Sequence, residues 1–179
     1  MIVTSEKLNE VRADFADQTI ALRLGCYDIL HYGHQEGIDF ASSQADILAV
    51  GVMPDEFIAK RKGRVSVNSV EKRLEAVDMA EGVDISFAVP NIGRLAVSQM
   101  FFGLRPDVFV DGEEHDKKLL KSILLSGIGV RYVIDRSSKV ESSSNIISRF
   151  GPARAARLSS LNFHSSLLTS EEAFQVGGK

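Results

Sequence analysis

Five short apolar runs with helical patterns between them constrain the fold most. They are TIALRLG (19–25), ADILAVGV (45–52), DISFAV (84–89), PDVFVDG (106–112) and VRYVI (130–134). Runs of this length without polar alternation read as strands covered on both faces. Helical spacing or caps mark 5–16, 34–43, 70–79, 92–102, 117–125 and 144–150, with Ser5 and Ser69 as N-caps and Gly151-Pro152 as a stop. Strands that alternate with helices are joined by crossovers and pair in parallel. The expectation is an α/β protein with a Rossmann-like, doubly wound, five-stranded parallel sheet and helices on both faces. The 179 residues suit one such domain, drawn here over 1–152. Residues 153–179 are read as an extension that either packs as an arm or is partly disordered.

Sites in such sheets lie beyond the carboxyl ends of the strands. Those ends fall at 25–34, 52–64, 89–93, 111–115 and 134–144, and the unusual polar residues concentrate there. A net charge of −3 argues against a general nucleic-acid surface, and no nucleic-acid partner is expected. The single cysteine, Cys26, rules out an intrachain disulfide and suits a reducing compartment. The first residues carry acids and no signal-like apolar core, and no run approaches the roughly 20 apolar residues of a membrane span. A cytoplasmic setting is expected.

The first strand end reads GCYDILHYGHQEGI (25–38), with His31 and His34 flanking Gly33. A helix that starts here offers open backbone N–H groups and the positive end of its dipole to an anion. Imidazoles at that place add donors for phosphate oxygens, and Gly33 lets a ligand approach the main chain. His-x-Gly-His therefore makes chemical sense as a clamp on a nucleoside triphosphate, because phosphoryl-type transfer needs mainly positioning and charge stabilisation. Zinc is the competing reading. It needs a third ligand, and His115 and His164 lack ligand-like spacing. A basic run follows the second strand, with Lys60, Arg61, Lys62, Arg64, Lys72 and Arg73 within 54–73. It reads either as a solvated loop or as a mobile lid over a polyphosphate.

HYGH, within GCYDILHYGH, resembles the His-x-Gly-His signature of the cytidylyltransferase-like nucleotidyltransferases. The stretch is similar to the opening of ethanolamine-phosphate cytidylyltransferases, and also to heptose-phosphate adenylyltransferases and glycerol-phosphate cytidylyltransferases. The resemblance covers about 19–150. It implies His31, His34 and Lys62 as catalytic, with Lys62 in the place of a family lysine before glycine. It further implies nucleotide contacts from Gly25, Cys26, Tyr27, Gly33, Lys60, Arg73 and the serines Ser142, Ser143 and Ser144 of VESSSNIISRF. Arg73 takes either a phosphate or a loop-ordering role, and Lys60 is the second choice for the phosphate lysine. Asp28 and Asp111 are placed on the acceptor side, and Asp111 stands where many relatives carry a lysine or histidine. No side chain is assigned as a metal ligand, and Cys26 is not needed as a nucleophile.

The reaction implied joins an NTP to a phosphorylated alcohol or sugar with release of pyrophosphate, with Mg²⁺ accompanying the triphosphate. RSSKVESSS (136–144) departs from the Arg-Thr-x-Gly-Ile-Ser segment of the glycerol-phosphate enzymes, since Arg136 is out of register and Val140 replaces the glycine. The other matches favour CTP, so CMP is the preferred transferred group, with ATP and a sugar phosphate as the alternative. A non-catalytic nucleotide-binding module on the same fold and an RNA-acting enzyme are the readings from other classes. Relatives of this kind are often dimers, and a homodimer is expected.

Overall fold

The computed structural model describes residues 1–90, 94–112, 124–136 and 142–161. The expected helix at 117–125 and the acids Glu113 and Glu114 lie mostly or wholly outside the described residues, as does the extension from 162 onward.

A six-stranded, all-parallel sheet forms the centre. Its strands are β1 (Ile2–Val3), β2 (Ile20–Gly25), β3 (Ile47–Val52), β4 (Ile85–Ala88), β5 (Val108–Gly112) and β6 (Arg131–Asp135), in the order β1-β4-β3-β2-β5-β6. The expected count of five is corrected by β1, which pairs with β4 at Ile2↔Ser86 and Val3↔Phe87. Two residues on a sheet edge are too few to show a period.

The strands alternate between two cores, as side chains on successive residues must. Ile20, Leu22, Ala49, Phe87 and Phe109 face α1 (Leu8–Asp14) and α5 (Arg94–Leu104). Ala21, Leu48, Val50, Val108 and Val110 face α2 (Tyr32–Ser42) and α4 (Val70–Asp78). Leu22 and Leu48 are almost wholly buried, and each such side chain contributes about 1.5–3 kcal/mol.

The basic run is a loop only over 63–69; Lys72 and Arg73 already lie in α4. Residues Asp55–Lys62 make a helix, α3, with Pro54 as N-cap, Asp55 and Glu56 in the first turn and Lys60, Arg61 and Lys62 in the last. Acids at the start and bases at the end both suit the helix dipole, and Gly63 ends the helix in the left-handed conformation. Gly151 ends α6 (Ser143–Phe150) as expected, but Pro152 at once opens α7 (Pro152–Leu161). Proline is well suited to a first helical position, where its missing N–H costs nothing.

At the amino edge of the sheet, Asp46 accepts from Thr19 N–H, Asp107 from Ile20 N–H and Asp84 from Leu48 N–H, at 2.8–2.9 Å. Toward the other edge, Arg23, Arg64 and Arg73 are paired with Asp135, Asp28 and Asp55. From β2 the order runs outward to β3 and β4 on one side and to β5 and β6 on the other. The reversal lies beside β2, where ligands bind in sheets of this kind.

Candidate active site

Cys26 to His31 turn the chain from β2 into α2. Tyr27, Asp28 and Ile29 are driven inward, each at most 2% exposed. Tyr27 sits at φ 50, a conformation that costs a non-glycine residue about 1–2 kcal/mol. Its ring packs against the backbone of Gly25, where an added Cβ would lie 2.6 Å from it. Ile29 joins Ile146 of α6 and Ala155 of α7 in a small apolar floor, flanked by Val67 and Phe150.

His31 is the N-cap of α2, and His34 follows one turn later, with Gly33 between them as the second helical residue. Spacing of three brings the two rings to one side. They stack with centroids 3.9 Å apart and planes 28° apart, and the Tyr27 ring leans on His34 at 5.2 Å. No side chain caps α2. The His34 N–H donates to the His31 carbonyl at 2.8 Å, which leaves the Tyr32 and Gly33 N–H groups at the positive end of the helix for an anion.

Three cations bear on the same turn. Burial pushes the Cys26 thiol up, and the charges of Lys62, Arg73 and Arg64 pull it back. Lys60 and Lys62 are both exposed on the last turn of α3, but only Lys62 of the pair is felt at Cys26. Arg73 is 1% exposed. Its Nη1 donates to the carbonyls of Cys26 and Met53 at 2.5 and 2.7 Å, its Nε to that of Asn68 at 3.1 Å, and its Nη2 to Asp55 at 2.6 Å. Of the two roles expected for Arg73, these contacts correspond to loop ordering. Asp28 is the second knot. Its Oδ2 accepts from Arg64 at 2.5 Å, and its Oδ1 accepts the N–H groups of Val67 and Asn68.

Ser142 caps α6 by accepting the Asn145 N–H. Ser143 is buried, and its hydroxyl donates to the Ile29 carbonyl at 3.3 Å, which fixes α6 against the histidine turn. Ser144 is exposed on the first turn. Asp111 follows Phe109 on the face toward α1 and α5, away from α2. Its carboxylate accepts from the Tyr132 hydroxyl at 2.9 Å and from the Gly112 N–H. Burial and this carboxylate raise the Tyr132 phenol well above its ordinary value. The structure thus brings together Gly25 to Asp28, His31, Gly33, His34, Arg73 and Ser143, while Asp111 faces the other side of the sheet.

A buried ion pair lies beneath α2 as well. Arg23 on β2 donates to Asp135 at the end of β6 at 2.9 Å, with side-chain exposures of 12% and 5%. An added Cβ on Gly37 of α2 would lie 2.4 Å from Arg23 Nη2. Sequence reasoning passed over this pair, although a charged residue inside TIALRLG was a signal that something must neutralise it.

The sequence profile described as cytidylyltransferase-like matches residues 22–149, which contain both histidines, Lys62, Arg73 and the three serines. The chain belongs to the cytidylyltransferase-like family. Its enzyme class is nucleotidyltransferase. Among its relatives, a bifunctional protein HldE from Helicobacter hepaticus is 30% identical over 118 residues, 65% of this chain and 24% of the relative. HldE from Pseudomonas aeruginosa is 36% identical over 101 residues, 55% of this chain and 20% of the relative. The chain therefore spans about a quarter or less of these HldE proteins. An FAD synthase from Pyrococcus horikoshii is 34% identical over 108 residues, 57% of this chain and 72% of the relative. A lipopolysaccharide core biosynthesis protein from Thermoplasma volcanium shares the fold with a TM-score of 0.58 at 22% identity, over 68% of this chain and 99% of that one. Among the described residues of this family member, no helix is long and apolar enough to cross a membrane.

Proposed function

We propose that the chain transfers an adenylyl group from ATP to the phosphate of a small phosphorylated alcohol or sugar, with release of pyrophosphate. The observation that carries this reading is the stacked His31–His34 pair at the uncapped start of α2. The polyphosphate lies along that helix start, with the imidazoles and Lys62 on its oxygens. An oxygen of the acceptor phosphate attacks the α-phosphorus, and a new P–O bond forms. The bond from the α-phosphorus to the bridging oxygen breaks, and pyrophosphate leaves with the electron pair. The acceptor oxygen is already anionic near neutral pH, so no strong general base is required. His31, His34 and Lys62 stabilise the charge that builds on the transferring group. Mg²⁺ enters as part of the nucleotide substrate. The nearby carboxylate of Asp28 is taken up by Arg64 and two backbone donors.

The nucleotide preference read from the sequence favoured CMP. The relatives named FAD synthase and HldE support ATP instead. FAD is itself an adenylyl group joined to a phosphorylated alcohol, and 136–144 lacks the glycerol-phosphate pattern expected for CTP. Pyrophosphate release tests the reading. The chain is mixed with Mg²⁺, each of ATP, CTP, GTP and UTP, and a panel of sugar phosphates, FMN, glycerol phosphate and ethanolamine phosphate. ATP is expected to support release at least tenfold over CTP. Preference for CTP would return the cytidylyl reading. No release with any pair, together with a nucleotide-dependent rise in melting temperature, would favour the binding module.

A further inference from the structure

We propose that the buried Arg23–Asp135 ion pair is a positioning pair, which fixes the exit of β6 against the underside of α2 and, through that helix, sets the placement of His34. The pair spans β5 on the α2 face of the sheet. Arg23 lies in register with Val110 of β5, and Asp135 with Gly112, so the guanidinium reaches diagonally over β5. Asp135 directly precedes Arg136 and the segment that leads in sequence to Ser142, the N-cap of α6. On its other side Arg23 abuts Gly37, which lies three residues after His34 on α2. Two strand ends that carry separate parts of the site are thereby joined below the helix that presents the histidines.

Stability alone does not account for this arrangement. A buried, hydrogen-bonded ion pair is often no better for stability than an apolar pair of the same volume. Its room here comes from Gly37 inside α2, and a glycine within a helix is less stable than alanine. Two unfavourable choices meet at one point, and what they share is a fixed geometry between β2, β6 and α2. Misplacement of a reacting group by about 1 Å is enough to cost a large factor in rate.

Gly37→Ala provides the test, because it leaves both charges in place and touches no group assigned to substrate. The added methyl would lie 2.4 Å from Arg23 Nη2, 2.8 Å from Arg23 Cζ and 3.1 Å from Asp135 Oδ2, so the pair must shift. The expectation is a protein that stays folded at the assay temperature, checked by circular dichroism, with kcat about 10- to 100-fold lower. The KM for ATP should change by less than about threefold, since Ser143 anchors α6 separately. The double variant Arg23→Met/Asp135→Leu removes both charges together, so it leaves no unpaired ion, and its kcat should fall by a similar factor. The kinetic arms rest on the adenylyl-transfer reading. The His34 ring resonances, measured by NMR without substrate, do not, and they should shift in Gly37→Ala. Wild-type kcat in both variants, or an unshifted His34 ring in Gly37→Ala, overturns the proposal. An inactive wild type with a shifted His34 ring would count against the reaction and not against the pair.

Discussion

Arg64 donates from Nη1 to the buried carboxylate of Asp28, and that contact ties the end of α3 to the histidine turn. The same carboxylate also holds the Val67 and Asn68 N–H groups. Asp28→Ala strands a partly buried guanidinium and two backbone donors. The expected loss is about 3 kcal/mol of stability in urea denaturation, with faster proteolysis around 63–69. A loss below about 1 kcal/mol would show that these contacts are replaced by water.

His34→Ala should leave the fold intact, because the ring stacks on His31 and Tyr27 at the edge of the apolar core. Turnover should drop about 10²–10³-fold, as for loss of one donor to a developing charge. Pyrophosphate release under saturating nucleotide measures kcat, and circular dichroism checks the fold. Unchanged kcat would remove His34 from the chemistry.

Arg73→Met should behave differently. Its three carbonyl partners and Asp55 belong to the segments after β2 and β3 and to the entry of α4. Expected are a fall of about 3–5 kcal/mol in stability and a loss of nucleotide affinity that follows the unfolding. Arg73→Lys keeps the charge but reaches fewer carbonyls, so it should recover only part of the stability. Full stability with selective loss of turnover would move Arg73 from ordering to phosphate contact.

Alkaline pH should weaken the fold through Tyr132. Its pKa in the folded protein is raised above the ordinary value of 10.0 by burial and by Asp111. In that case the unfolded chain releases its phenol proton first. The stabilising contribution is fully present below pH about 10 and declines as pH rises beyond it. Urea midpoints from pH 8 to 11 should fall more steeply for the wild type than for Tyr132→Phe. Parallel slopes would exclude this group as the cause.

Much of this was legible in the sequence because burial on both faces leaves a plain signature. TIALRLG and PDVFVDG read as interior strands and form β2 and β5, and HYGH, read as the candidate site, stands at the first strand end. Ile2 and Val3 escaped notice because two edge residues carry no period. The helix α3 was hidden by its own charge run, although Pro54, Asp55-Glu56 and Gly63 are ordinary helix boundary residues. The partners of Arg73 and Arg23 were hidden for another reason. Arg73 reaches a carbonyl 47 residues away, and Arg23 a carboxylate 112 residues away. Linear spacing says nothing about partners that only the folded sheet makes neighbours. Asp111 was ambiguous for the same reason, since its partner Tyr132 lies on the next strand.

The corner at Gly151-Pro152 bears on how the histidine turn is supported. Because α7 starts there and seats Ala155 beside Ile29 and Ile146, it works as a buttress behind the residues that lead into His31. A fragment trimmed at 152 would keep every side chain assigned to chemistry and still lose one wall of that support. Bulkier residues at 155 would press on the turn from behind. Position 155 is therefore a place from which the histidine turn can be shifted without altering any residue that faces it from α3.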